Sequence, residues 1–233
     1  MDQLGKLYIV ASPIGNLEDI TLRALRVLRE VDLILCEDTR VTRKLLDRYK
    51  IKKPLLSYHH HSKLSRTEKI MEHLENGKDL ALVSDAGTPG ISDPGNRLIA
   101  NLTPTLSLPR RGGEGEVEII PIPGPSAVAT IASAAGISMD KFLFLGFPPH
   151  KKGRETFFRE MAESKYPIVY FDSPHRFFKN LELLEKFKPN AKIVVGRELT
   201  KMFEEIQRGN IQEIKSYWKN KKNLKGEFVI VSY

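Results

Sequence analysis

The chain has 233 residues, of which 41% are hydrophobic and 28% charged, and it carries a net charge of +8. That is enough to bury a sizeable core in one large unit or two smaller ones, and the composition is that of an ordinary soluble globular protein. The basic balance favours an anionic partner, nucleic acid being the commonest, while a lone cysteine excludes any disulfide within the chain.

In chain order, Leu7–Ala11 reads as a strand that opens into the loop Ser12–Leu17, and Glu18–Arg29 reads as an amphipathic helix. Leu7–Ala11 is too short for the apolar part of a signal peptide, so a cytoplasmic location is expected. Val31–Cys36 is a second strand, with Cys36 as a small core residue. It is followed by Glu37-Asp38-Thr39-Arg40 and a helix to about Tyr49. In the run His59-His60-His61 only His59 and His61 share a side if the segment is extended. No Cys/His partner lies at zinc spacing, so a solvated loop is the expectation and no metal site is assigned.

A helix from about Arg66 to Glu75 leads into the apolar strand Leu80–Val83 and the loop Ser84-Asp85-Ala86-Gly87-Thr88-Pro89-Gly90-Ile91-Ser92-Asp93-Pro94-Gly95. Glycine and alanine let a backbone come close to a ligand, and proline holds one loop shape. In an α/β sheet ligands bind at the carboxyl ends of the strands, so this is read as a binding loop. Asn96–Ala100 is helix-like, and Thr103–Glu116 reads as an exposed insertion, with an incidental surface loop as the expectation and RNA contact by Arg110 and Arg111 as the alternative. The strand Val117–Ile122 then enters Pro123-Gly124-Pro125-Ser126 and a helix over Ala127–Ala135. The prolines and glycine there break the longest uncharged stretch, Ile119–Met139, so it cannot form a membrane-spanning helix.

Strands are expected next at Phe142–Leu145, Ile168–Phe171, Ile193–Val195 and Phe228–Val231, and helices at Glu155–Glu163 and Phe177–Phe187. Met202–Arg208 is expected to pair in antiparallel fashion with Ile193–Val195. The alternation predicts two α/β domains, residues 1–138 with a mostly parallel sheet and 139–233 with a mixed one. Basic clusters recur at Arg40–Lys44, Lys50–Lys53, Lys151–Arg154 and Lys219–Lys222.

The chain lacks G-x-G-x-x-G after its first strand, lacks a G-x-x-x-x-G-K-[ST] loop, and has no G-x-S-x-G elbow, which argues against dinucleotide, ATP and classical hydrolase chemistry. What it has is a set of loops behind strands: Ser12–Leu17, Glu37–Arg40, Ser84–Gly95, Pro121–Ala127 and Tyr170–Arg176. To these it adds Glu198-Leu199-Thr200-Lys201, Glu204, Glu205 and Lys225-Gly226-Glu227. From Leu7 to about Val231 this set resembles the tetrapyrrole methylase superfamily, and within it the branch that methylates small-subunit ribosomal RNA. Porphyrin-acting members share the glycine loops but usually differ at the Glu37–Arg40 and Ser173–Arg176 tetrads.

The resemblance implies a homodimer of two α/β domains with S-adenosylmethionine in the cleft between them. It also implies 2′-O-methylation of a cytidine ribose in 16S rRNA of the small ribosomal subunit. Matched by motif, Pro13, Gly15, Asp85, Ala86, Gly87, Thr88 and Pro89 would line the cofactor pocket, with Ser126, Ala127, Phe171 and Gly226 as further candidates. Asp38, His175 and Glu198 are candidates for the base that takes the hydroxyl proton. Arg40, Arg176 and Lys201 are candidates for holding phosphates or polarising the hydroxyl, and inter-domain salt bridges are the alternative role for all of these charges. Protein readout of RNA sequence mostly targets unpaired nucleotides, and Tyr58, Phe147 and Phe177 are stacking candidates, although core positions are the expectation for each. Two features depart from the family: the Thr103–Glu116 segment, and the stop at Tyr233 where many members continue into a helical segment. A tetrapyrrole methyltransferase and an inactive ribosome-binding relative are the competing readings.

Overall fold

The computed structural model describes residues 4–58, 64–93, 95–102, 117–221 and 224–233. The histidine run, Pro94, Lys222 and the Thr103–Glu116 segment lie outside the described residues. The chain divides into two compact units, residues 1–126 and 127–233.

The first unit is built on β1 (Leu7–Val10), β2 (Leu33–Cys36), β3 (Leu55–Ser57), β4 (Leu80–Val83) and β5 (Ile119–Ile122). They form one parallel sheet in the order β3-β2-β4-β1-β5. Successive side chains leave a strand on opposite faces, and the sequence supplies apolar residues to both. Val10, Ile34, Cys36, Ala81 and Val83 pack with helices α1 (Leu22–Glu30) and α2 (Thr39–Arg48). Leu7, Ile9, Leu33, Leu35, Leu80 and Leu82 pack with α3 (Leu64–Glu75) and α4 (Gly95–Leu102) on the other face. Buried on both sides, these strands read as continuous apolar runs.

Two elements differ from expectation here. The first helix begins at Leu22, because Leu17–Asp19 forms a separate 3-10 turn capped by Asn16, and Thr21 caps α1 through Oγ1 to the Ala24 N–H at 3.0 Å. The edge strand β3 has no counterpart in the sequence reading. It is short and half-buried, and what makes it a strand is its pairing with β2.

The second unit comprises α5 (Ala127–Ala134), β6 (Leu143–Phe144), α6 (Arg154–Glu163), β7 (Ile168–Asp172), α7 (Phe177–Phe187), β8 (Lys192–Arg197), β9 (Glu205–Asn210), α8 (Ile211–Lys219) and β10 (Phe228–Ser232). The sheet order is β6-β7-β10-β8-β9, with β6 parallel to β7 and the other pairs antiparallel. Helices α6, α7 and α8 cover one face over Tyr170, Ile193, Val195, Phe228 and Ile230. Helix α5 docks on the sheet at Gly196, where an added Cβ would stand 2.8 Å from Ile131 Cδ1. That contact ties α5 to the second sheet and places the division of the chain after Ser126, ahead of the expected boundary at residue 138. The pairing of Met202–Arg208 with Ile193–Val195 is present as β9 against β8, shifted to Glu205–Asn210.

Candidate active site

Parallel strands bring the loops after β1, β2, β4 and β5 to one edge of the first sheet, and hydrogen bonds stitch those loops together. Ser12 and Gly87 form a reciprocal bridge, N–H to O at 2.9 and 3.1 Å. Ser12 Oγ donates to the Ser84 carbonyl at 3.1 Å, and Thr88 Oγ1 donates to the Pro125 carbonyl at 3.1 Å. Gly87 has φ +80, and a Cβ there would lie 3.3 Å from Ile14 Cγ2, so glycine serves both the left-handed backbone and the close approach of two loops. The structure therefore brings Pro13, Gly87, Thr88 and Pro89 together with the β5 loop that ends in Ser126. Pro13 and Pro89 are buried, whereas Gly15, Asp85 and Ala86 are exposed.

Asp93, absent from the sequence-derived candidates, fixes the far end of the long loop. Its carboxylate accepts from the Gly90 N–H at 2.8 Å and the Gly95 N–H at 2.8 Å. An aspartate closing a Gly-rich turn was a legible signal.

The loops after β2 and β4 meet through carboxylates. The Asp38 N–H donates to Asp85 Oδ1 at 3.0 Å, and the Asp85 N–H donates to Glu37 Oε1 at 3.3 Å. Burial pushes both Glu37 and Asp85 above the ordinary carboxylate range. Asp38 is different. Its side chain caps α2 by accepting from the Arg40 N–H at 2.8 Å, and the Arg40 guanidinium lies 2.6 Å from its other oxygen. The hydrogen bonds from Arg40 hold Asp38 down to about 2. At neutral pH it is an ionised cap with its lone pairs engaged, a poor proton acceptor.

In the second unit the carboxyl ends of β6, β7 and β8 and the amino ends of β9 and β10 share one sheet edge. Glu198 sits there at φ +51, accepting from the Glu227 N–H at 3.0 Å and from Lys201 Nζ at 3.0 Å, while Lys201 Nζ also reaches Glu227 Oε2 at 2.9 Å. Burial raises Glu198, but Lys201 and the Glu227 amide outweigh it and hold the carboxyl below its usual range. Burial depresses Lys201, and the carboxylates of Glu227 and Glu198 outweigh that to keep its ammonium charged. Gly226, at φ +106, makes room for this carboxylate: a Cβ there would stand 2.5 Å from Glu198 Cγ and 2.6 Å from Oε1. Two candidates that the sequence assigned to different roles, Glu198 and Gly226, are thus in direct contact.

Behind the Ser173–Arg176 turn lies buried Asp172, which accepts from Asn180 Nδ2 at 2.9 Å and from the Ser173 N–H at 2.7 Å. Burial raises its carboxyl, partly opposed by those hydrogen bonds. Arg176 Nε donates to Ser173 Oγ at 3.1 Å and Nη1 to the Pro148 carbonyl at 3.0 Å, which braces the loop after β6, and His175 is exposed. Phe171 is half-buried, with its ring centroid 5.0 Å from that of Phe144 and 5.2 Å from that of Phe147. Of the stacking candidates, Tyr58 and Phe177 are core residues, but Phe147, in the loop after β6, is 51% exposed against the core expectation.

A family model for Tetrapyrrole (Corrin/Porphyrin) Methylases matches residues 6–215. The chain is 42% identical over 228 residues to "Ribosomal RNA small subunit methyltransferase I" of Thermotoga maritima, covering 98% of both chains. It is also 42% identical to the protein of that name in Bacillus subtilis, covering 98% of this chain and 75% of that one. Among solved structures, the methyltransferase CobJ aligns with a TM-score of 0.70 at 20% identity, covering 98% of this chain and 93% of that one. Uroporphyrin-III C-methyltransferase from Thermus thermophilus, complexed with S-adenyl homocysteine, aligns with a TM-score of 0.63 at 16% identity, covering 97% of each.

Proposed function

The chain belongs to the tetrapyrrole (corrin/porphyrin) methylase family, and on that premise we propose that it transfers a methyl group from S-adenosylmethionine to the 2′-hydroxyl of a cytidine ribose in 16S rRNA. The observation that carries the reading is the 42% identity with a small-subunit rRNA methyltransferase along 98% of both chains. The proposed working form is a cytoplasmic homodimer acting on the small ribosomal subunit.

The residues of the first unit fit the donor. A left-handed Gly87, pinned to Ser12 and beside Ile14, with buried Pro13 and Pro89 in the same loops, offers a rigid apolar wall in place of fixed charge, which suits a small, mostly apolar ligand. Bound S-adenosylmethionine would supply a methyl already activated by its sulfonium. The protein's part is then chiefly to orient the acceptor, an effect worth roughly 7–11 kcal/mol of barrier in well-aligned reactions. Methyl transfer breaks the sulfur–carbon bond and forms a carbon–oxygen bond, and the hydroxyl proton must leave to a base. Asp38 is engaged as a helix cap and Glu198 is paired with Lys201, so exposed His175 is the base we assign. Arg176, held by the Ser173 hydroxyl and the Pro148 carbonyl, is assigned to a phosphate that flanks the reacting ribose, while Arg40 and Lys201 are committed to Asp38 and to Glu198 and Glu227.

The test is transfer of radiolabelled methyl to assembled small subunits, followed by mapping of the labelled nucleotide. Label on one cytidine ribose supports the reading. Label on a uroporphyrin-type acceptor alone would replace it with a tetrapyrrole methyltransferase. RNA binding without donor binding or transfer would leave an inactive ribosome-binding relative.

A further inference from the structure

The basic run Lys151-Lys152-Gly153-Arg154 is used by none of the chemistry above. It lies where the loop after β6 turns into α6. There a cleft of about 350 Å³ is lined by His150, Lys151, Gly153, Arg154, Glu155 and Thr156, with Leu183 of α7, and Lys152 stands beside this lining as an exposed neighbour of Lys151.

The loop is held by two guanidinium groups. Arg176 donates to the Pro148 carbonyl at 3.0 Å, and Arg154 donates through Nε to the Pro149 carbonyl at 2.9 Å and through Nη2 to the His150 carbonyl. Carbonyls fix a guanidinium without neutralising it, so the clamp leaves its positive charge in place. The carboxylate behind it, Asp172, is 2% exposed. Glu155, the acidic residue at the rim, is paired with Lys186 at 3.3 Å. Among the described residues neither Lys151 nor Lys152 has an ion-pair partner, and both are exposed. Asp172 attracts both guanidiniums from behind, so the uncompensated cations of this concave, braced surface are Lys151 and Lys152.

We infer that this cleft binds the phosphodiester backbone of the RNA substrate, as a docking surface that positions the strand without reading its bases. Phosphate contacts by Lys and Arg set register and affinity, while base contacts set sequence. The inference rests on the reading of the acceptor as RNA, and it predicts a salt signature as well as an affinity. Each phosphate neutralised contributes about −0.7 to the log–log salt slope for a single strand.

The experiment measures binding of a fluorescent mixed-sequence single-stranded RNA across salt concentrations, for the wild type, for Lys151→Ala/Lys152→Ala, and for Lys52→Ala/Lys53→Ala as a control of equal charge. The expected result is a several-fold loss of affinity for the cleft variant, with a slope shallower by about 1.4 for two lost contacts. The control should keep the wild-type slope. Unchanged binding by the cleft variant, an equal loss in the control, or no binding by the wild type would each overturn the proposal. Methyl transfer to small subunits by a cleft variant with unaltered RNA binding would sink the docking surface and keep the proposed function. The predicted salt behaviour without any methyl transfer would do the reverse.

Discussion

Gly226 shows how one residue type can be dictated by a neighbour's carboxylate. Its φ of +106 disfavours any side chain, and the space where a Cβ would go is taken by Glu198. Gly226→Ala is therefore expected to cost about 1–3 kcal/mol of stability in urea titrations, in the range for strained backbone sites. Glu198→Ala in the same chain should return part of the loss, because it removes the clash and leaves only the φ penalty. The buried carboxyl of Asp172 carries a pH prediction. Its folded pKa lies above the unfolded one, so the native state binds the extra proton, and stability falls as pH rises from the unfolded value near 3.9 through the raised folded value. Asp172→Asn should flatten that part of the pH–stability curve, read from urea midpoints between pH 3 and 7. Asp38 has the opposite sign: Arg40 lowers it to about 2, so its contribution is complete above about 3.9 and lost as pH falls through about 2. Asp93, closing a Gly-rich turn onto amides two and three residues away, was legible from its neighbours, whereas nothing near Asp172 in sequence says that the Asn180 amide folds back onto it.

At the scale of elements, apolar runs and their punctuation gave most strands and helices, and what they missed has a physical cause. β3 is short and half-buried, so pairing with β2 makes it a strand where local preference does not. Helix α8 was missed despite a usable signal: Asn210 and Glu213 form a reciprocal capping box, with the Glu213 N–H 2.9 Å from Asn210 Oδ1 and the Asn210 N–H 2.8 Å from Glu213 Oε2. Helix α5 packs against the second sheet at Gly196, whose missing side chain admits Ile131. Gly196→Ala is expected to destabilise the protein by about 1–3 kcal/mol through overpacking, measured by thermal or urea unfolding. Ile131→Val in the same chain removes the Cδ1 that an alanine at 196 would meet, and should recover part of the loss.

For the whole molecule, charge is the property with a functional consequence. With a net charge of +8 and the RNA acceptor proposed above, encounter is expected to be electrostatically assisted and screened by salt. The expected outcome is that kcat/KM for small subunits falls steeply as salt rises, while calorimetric affinity for the methyl donor changes little. A parallel fall of both would place the salt effect on the protein itself. Charge at this scale is a sum. How it is distributed depends on which lysines find partners: Lys201 and Lys215 are bound into ion pairs, whereas Lys151 and Lys152 have none among the described residues.

By itself the sequence determined the fold class and the order of nearly all its elements, because apolar periodicity and glycine-proline loops are local and legible. The resemblance carried by those loops pointed to the family and to methyl transfer. Tertiary structure alone decided which loops touch. It bridged Ser12 to Gly87, joined Asp38 to Asp85, seated Glu198 in the gap left by Gly226 and gave α5 to the second sheet. Those outcomes depend on backbone hydrogen bonds and close approaches between residues far apart in the chain, and no local pattern encodes them.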